Sequence, residues 1–303
     1  MAEQPYCPAM STNTISLSQE TGKPVTAPSV QASKNGDKIC CMTAYDYSSG
    51  LIADAAGMDV VLVGDSLAMV VLGHEDTLSV TVDEMIHHVR ATSRGVKRAL
   101  LVADMPFMSF CTVDKALHNG GRLISEGGAR AVKLEGGVAV VPQIEALTQA
   151  GIPVMAHVGL TPQHVARFGG FKAQGKSAEA TKALLEDAQA VEEAGAFCVV
   201  LEAIPVEAAQ LITEAIDIPT IGIGAGNVTD GQVLVYHDVL GLFDRFTPKF
   251  VRQYASQGEE GIKALEQYCK DVRSGWFPAE KNTIYMPDDQ MEQVRKIKVK
   301  KKK

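Results

Sequence analysis

Val60-Val61-Leu62-Val63-Gly64-Asp65 is a continuous apolar, β-prone run that stops on an acid. Leu100-Leu101-Val102-Ala103-Asp104, Ala131-Val132-Lys133-Leu134-Glu135 and Cys198-Val199-Val200-Leu201-Glu202 end the same way. A run that is apolar throughout, and not only at alternate positions, suits a strand covered on both faces, as in a parallel sheet. The exit of such a strand is where α/β proteins hold ligands. Asp65, Asp104, Glu135 and Glu202 are therefore expected to converge at one end of the sheet, and four carboxylates together imply a metal and a base.

Outward from these runs the chain repeats one pattern. Helical stretches close on glycine and a strand begins within a few residues, as at Ala56-Gly57, Gly127-Gly128, Ala150-Gly151 and Ala194-Gly195. Glycine just past a helix supplies the left-handed cap that turns the chain back into a strand. Besides the strands ending on the four acids, strands are expected at Cys41–Tyr45, Ile152–His157, Pro219–Ile223 and, more weakly, Val233–Tyr236. Thr81 and Glu84 have capping-box spacing, Thr161-Pro162 has the form of an N-cap with proline at the first helical position, and Ser177 precedes a stretch in which Leu184, Ala188 and Val191 recur at helical spacing. Eight strands alternating with helices favour a closed (βα)8 barrel over an open doubly wound sheet.

The 303 residues, 46% hydrophobic and 21% charged, suffice for one such domain, since a barrel needs about 250 residues. The expected organisation is a flexible extension over 1–36, the barrel over 37–285 and a basic tail over 286–303. The extension is rich in Ser, Thr, Pro and Gln, and up to Asn35 it has no arginine and no apolar stretch of the kind a secretion signal requires. Lys296 to Lys303 contains six lysines, a short charge run expected to stay solvated. A net charge of −7 offers no long-range attraction to nucleic acid or anionic lipid. No stretch approaches the roughly 20 apolar residues of a membrane span. Cys7, Cys40, Cys41, Cys111, Cys198 and Cys269 form no C-x-x-C pair, which argues against a zinc knuckle or redox couple and fits a reducing cytoplasm.

Gly222-Ile223-Gly224-Ala225-Gly226 lacks the G-x-G-x-x-G spacing and falls late in the chain, so it is not a dinucleotide fingerprint. The acids point elsewhere. Asp65, Asp104 and Glu135 are hard oxygen donors with no His or Cys at zinc-binding spacing, which favours Mg²⁺. Magnesium usually keeps positions open, and a 2-oxo acid fills two of them through its carboxylate and keto oxygens. The adjacent C–H would then be acidic enough for a carboxylate base, a role open to Glu202 on a separate strand. Lys133, two residues before Glu135, shares its face of the strand and either neutralises that acid or binds an anionic substrate. His157 is a core histidine or a polar group of the pocket, with the pocket slightly favoured. Ser66 by itself reads equally well as a helix start.

At these residues a resemblance emerges. Met42-Thr43-Ala44-Tyr45-Asp46, Val63-Gly64-Asp65-Ser66, Val132 to Gly137, Ala156 to Gln163, Phe168-Gly169-Gly170 and Ile221 to Gly231 closely resemble, in order, segments of the ketopantoate hydroxymethyltransferase family, over about Lys38 to Pro278. The resemblance implies a Mg²⁺-dependent (βα)8 TIM barrel of the phosphoenolpyruvate/pyruvate-binding type, assembled as a decamer. It also implies transfer of a hydroxymethyl unit from methylenetetrahydrofolate to α-ketoisovalerate, on the route to pantothenate and coenzyme A. On this resemblance Asp65 and Asp104 bind the metal and Glu135 completes or orients its sphere. Ser66 and Lys133 hold the keto acid together with the two aspartates, Glu202 accepts the proton, and His157 belongs to a family motif. Two other readings stand beside it. One is a related 2-oxo acid lyase, which would want a catalytic cysteine in a mobile loop; Cys111 follows the third strand, without the matching motif. The other is a barrel that only binds a metabolite. The Thr161–Lys176 loop, with glycines at 169, 170 and 175, is a candidate lid.

Overall fold

A computed structural model describes residues 22–170 and 172–297. Residues 1–21 of the expected extension and 298–303 of the lysine-rich tail lie outside the described residues. Eight strands, β1 (Ile39–Thr43), β2 (Val60–Val63), β3 (Leu100–Asp104), β4 (Ala131–Glu135), β5 (Val154–Gly159), β6 (Cys198–Glu202), β7 (Thr220–Ile223) and β8 (Gly231–Leu234), pair in chain order. They close into one barrel. Every pairing is parallel, and the seam is made by Cys41, which sits opposite Val60 on one side and Val233 on the other.

The helices are α1 (Ala27–Gln31), α2 (Tyr47–Ala55), α3 (Leu67–Val70), α4 (Val82–Gly95), α5 (Val113–Ser125), α6 (Val141–Gln149), α7 (Val165–Phe168), α8 (Ala178–Glu193), α9 (Val206–Ala215), α10 (Tyr236–Val239), α11 (Gln257–Ser274) and α12 (Asp288–Arg295). Sequence signals set several of their ends. Thr81 and Glu84 form a reciprocal capping box at α4, and Ser177 Oγ accepts from the Ala180 N–H at α8. Gly195, at φ +96°, follows α8 and lets the chain reverse towards β6.

Double coverage explains the unbroken apolar runs. Outward side chains such as Val61, Val63, Leu101, Val132, Leu134, Val199 and Leu201 are buried with helix residues that include Leu184, Ala188 and Val191. Inward ones, including Cys41, Leu62, Val102, Met155, Cys198 and Val200, meet in a second cluster inside the barrel. Cys198 is therefore a packing residue, and burial pushes its thiol well above the usual range.

Some strand limits differ from the sequence expectation, each for a local reason. β1 ends at Thr43 and not Tyr45, because Asp46 caps α2 and the Tyr45 N–H turns to Ser49 Oγ (3.0 Å). β5 starts at Val154, since the Ile152 N–H still closes the end of α6 on Leu147 O. β8 covers Gly231–Leu234, two residues upstream of expectation, because Tyr236 opens α10 and its N–H donates to Thr43 Oγ1 (2.9 Å).

The packed core also has other limits than 37–285. In α1, Thr26 and Ser29 cap each other, and Ala27 and Val30 are buried against the inward residues of the strands. The Val25 N–H donates to Arg98 O just before β3, and the Lys34 ammonium reaches Thr213 O and Asp230. Residues 25–34 thus close the N-terminal mouth of the barrel and are no loose extension. At the other end, α11 has no buried residue, and Ile262, Leu265, Tyr268 and Val272 form an exposed apolar stripe. The outward residues of β1 and β8 (Cys40, Met42, Gln232, Leu234) are themselves exposed or half-buried, in contrast to the covered ones elsewhere on the barrel. No helix among the described residues is long and apolar enough to cross a membrane.

Candidate active site

A cavity of about 640 Å³ opens at the C-terminal mouth and is lined by Asp65, Ser66, Asp104, Lys133, Glu135, His157 and Glu202. All seven residues singled out in the sequence are brought together. The strand ends do this directly: β3, β4 and β6 terminate on Asp104, Glu135 and Glu202, and Asp65 lies two residues past β2.

Asp65, Asp104 and Glu135 are each buried, with Lys133 among them. The Asp65 N–H donates to Asp104 Oδ2 (3.0 Å), and the Lys133 ammonium donates to Asp104 Oδ1 (2.6 Å). Lys133 thus takes Asp104 as its partner, not Glu135. Burial alone would push this ammonium down; Asp104, Glu135 and Asp65 outweigh that and hold it above its usual value. Burial, reinforced by the charges of Asp104 and Glu135, pushes the Asp65 carboxyl well above the usual carboxylate range.

Glu135 faces a different set of partners. Its Oε2 accepts from the Gln163 backbone N–H (3.1 Å), and Oε1 lies 3.5 Å from His157 Nδ1. Burial raises this carboxyl, but His157, Lys133 and the Gln163 amide outweigh it and leave it below the usual range. On the far side of the imidazole, Nε2 lies 3.2 Å from Glu202 Oε2. Burial and Lys133 push His157 down, but its contacts with Glu135 and Glu202 prevail and raise it to about 9. His157 is thus a pocket residue, held between two glutamates.

Ser66 precedes α3 but makes no cap bond, and its hydroxyl instead lies 2.9 Å from the Tyr45 hydroxyl. The expected cap at Thr161 is also absent. Pro162–His164 is a 3-10 turn, the Gln163 N–H that a cap would take goes to Glu135, and Thr161 Oγ1 bonds His164 Nδ1.

The residues fit a divalent cation. Two adjacent buried carboxylates share one lysine, and the crowding that raises Asp65 is the charge imbalance a hard cation relieves. Among the described residues no group of three or more His, Cys, Asp and Glu side chains is already arranged to hold a metal. Asp65 and Asp104 lie together and could hold the ion, while Glu135, bonded to the Gln163 amide and close to His157, could complete or orient its sphere.

Two contributors escaped the sequence reading. Gln163 Nε2 donates to Asp65 Oδ2 (2.9 Å) and to Met105 O (2.9 Å), so this one residue holds both Asp65 and Glu135. It is buried in a turn, and only its place in the Ala156–Gln163 motif marked it. Asp238 enters the cavity from α10, together with Phe243, Phe246 and Phe250 beyond it.

Solved structures share this architecture. A 2,3-dimethylmalate lyase of the phosphoenolpyruvate mutase/isocitrate lyase superfamily aligns with a TM-score of 0.56 and 16% identity, covering 89% of this chain and 97% of its own. A phosphonopyruvate hydrolase gives 0.57 and 13%, covering 89% and 95%. At such identities the likeness is one of fold. The chain is thus a (βα)8 barrel with a carboxylate-lined cavity at the C-terminal mouth.

The finer kinship is closer. The ketopantoate hydroxymethyltransferase family model matches residues 24–280. A 3-methyl-2-oxobutanoate hydroxymethyltransferase of Oleidesulfovibrio alaskensis is 60% identical over 267 residues, covering 88% of this chain and 92% of that protein. Its counterpart in Enterococcus faecalis is 56% identical over 271 residues, covering 89% and 98%. This chain belongs to the ketopantoate hydroxymethyltransferase family.

Proposed function

We propose that this chain transfers a hydroxymethyl group from methylenetetrahydrofolate to α-ketoisovalerate (3-methyl-2-oxobutanoate), giving ketopantoate for pantothenate and coenzyme A biosynthesis, with Mg²⁺ as its metal. The observation that carries this reading is one cavity holding the Asp65–Asp104 pair and, on a separate strand, Glu202. Membership of the family, whose relatives bear the name of that activity, supports it.

Asp65 and Asp104 would hold Mg²⁺, which when bound draws charge from the keto acid's oxygens and makes its C3–H acidic. Lys133 fixes Asp104 through the 2.6 Å contact and brings positive charge to the substrate carboxylate. The Ser66 hydroxyl, steadied by Tyr45, donates to a substrate oxygen. Glu202 takes the C3 proton, and His157 orients it through the 3.2 Å Nε2 contact. The C3 electron pair then forms the new bond to the donor's methylene carbon as one of that carbon's two bonds to folate nitrogen breaks, the nitrogen keeping the electron pair and taking up a proton. Water replaces the second nitrogen on the same carbon: its oxygen stays as the new hydroxyl and a proton goes to the departing nitrogen, leaving ketopantoate and tetrahydrofolate.

The lyase reading gains nothing from Cys111, which is exposed and absent from the cavity wall. A barrel that only binds a metabolite would not need the positioned base Glu202. On the same reading the protein works in the cytoplasm as a homo-oligomer, decameric as the family resemblance implies, and the exposed stripe of α11 supports assembly. The direct test is incubation with Mg²⁺, α-ketoisovalerate and methylenetetrahydrofolate. Ketopantoate and tetrahydrofolate should form in equal amounts; binding of the keto acid without product would overturn the reading.

A further inference from the structure

Two stretches far apart in the chain wall the cavity together. Met69, Val70 and Thr77 come from the segment after β2, and Phe243, Phe246 and Phe250 from the segment after β8. These two strands do not pair, because β1 stands between them, so the stretches can be joined only above the sheet. Arg245 makes that join. Its Nη1 donates to His74 O (2.7 Å) and its Nη2 to Gly73 O, so the guanidinium fork takes two successive carbonyls. The guanidinium carbon lies 6.0 Å from the centre of the Phe243 ring, at the edge of cation–π reach. Phe243 in turn meets Phe246 edge-on with centroids 5.5 Å apart, which ties the arginine to the cavity wall on its own side.

The segment on the other side is not held by its own contacts alone. Between α3 and α4, residues 71–75 are exposed and belong to no helix or strand. The His74 N–H returns to Ala68 O (2.8 Å). Thr77, 3% exposed and on the cavity wall, nevertheless has a hydroxyl with no hydrogen-bond partner among the described residues. A buried hydroxyl left unpaired works against the arrangement that buries it. The same stretch runs on from Ser66 through α3, so a shift in it would reach the hydroxyl that faces the substrate.

We propose that Arg245 is a positioning residue: it clasps the 71–77 segment to the aromatic segment after β8 and keeps that side of the cavity closed to water while the new carbon–carbon bond forms. The proposal rests on the reaction assigned above. Once Glu202 has taken the C3 proton, the electron pair on C3 either bonds to the donor's methylene carbon or takes a proton back. A closed rim keeps solvent from exchanging with that proton and favours the first fate. A loosened rim lets solvent protons reach Glu202 and C3.

Arg245 is exposed, so Arg245→Ala removes the clasp without emptying the core. The first measurement is amide hydrogen exchange of the full chain by mass spectrometry. Exchange across residues 71–77 should quicken at least about tenfold while the barrel strands keep their rates; unchanged exchange in the segment would overturn the clasp. The second follows the reaction in deuterated water with Mg²⁺, α-ketoisovalerate and methylenetetrahydrofolate, as deuterium gained at C3 per ketopantoate formed. The variant should raise that ratio about tenfold, and free guanidinium at a low, non-denaturing concentration should bring it back. An unchanged ratio, or one that guanidinium does not restore, would overturn the role in closure. Arg245→Lys should fall between the two proteins, since a point charge cannot take both carbonyls in a fixed fork. If the segment loosens in the variant but the unaltered protein makes no ketopantoate, the reaction reading falls and the clasp remains.

Discussion

Gln163 is the residue whose loss should say most about the site. It donates to Asp65 with its side chain and to Glu135 with its backbone, so Gln163→Ala removes the Asp65 contact, together with the bond to Met105 O, and keeps the one to Glu135. Partners of a metal ligand typically matter by about 10–100-fold in metal affinity, and titration with Mg²⁺ should show a loss in that range. Asp65→Ala and Asp104→Ala should weaken Mg²⁺ more, and unchanged affinity would remove them as ligands. Glu202→Gln should slow exchange of the keto acid's C3 proton with deuterated water by about 10²–10⁴-fold while the acid still binds; fast exchange would rule the base out. Asp230 supports the frame instead of the chemistry. Its carboxylate accepts from the Thr220 N–H (2.8 Å), the Asn35 N–H (3.2 Å) and Lys34 (3.0 Å). Burial raises it, but these donors outweigh burial and hold it below the usual carboxylate value. A depressed carboxyl stabilises the fold above its unfolded pKa and loses that contribution as pH falls through the native one. Asp230→Asn should therefore cost about 1–3 kcal/mol at neutral pH, and urea unfolding should show the gap to the unaltered protein closing below about pH 4.

Among the elements, α1 carries the clearest prediction. Val30 is buried in the floor of the barrel, so Val30→Ala should cost about 2 kcal/mol in urea unfolding, whereas a loose extension would lose nothing. The sequence concealed this, because five helical residues among Pro, Ser and Thr leave no periodic signal. The strands that were easiest to read are those with both faces covered, where β2, β3, β4 and β6 give unbroken apolar runs. β8 misled for the opposite reason: no buried partner covers its outer side, Gln232 is exposed there, and the apolar run Val233–Tyr236 crosses from strand into α10. The site divides along the same line. Acids at strand ends were legible because a strand of known direction aims its last side chains. Gln163 and Asp238 were not, since a turn and a short helix give a side chain no direction that can be read from spacing.

At the scale of the whole molecule, α11 and the half-bare flank of β1 and β8 are two apolar surfaces that one copy leaves unsatisfied. Leu265→Glu with Tyr268→Glu, both at positions more than half exposed, should reduce assembly size in light scattering. The unfolding midpoint of the isolated chain should stay nearly the same; an unchanged assembly size would exclude this helix from the interface. A different consequence follows from the floor made by residues 25–34. With that end plugged, the cavity at the C-terminal mouth is the way in to the acids at its base. On the proposed function both reactants would share this opening, so an excess of the folate should obstruct the keto acid and show as inhibition of initial rates at low acid concentration.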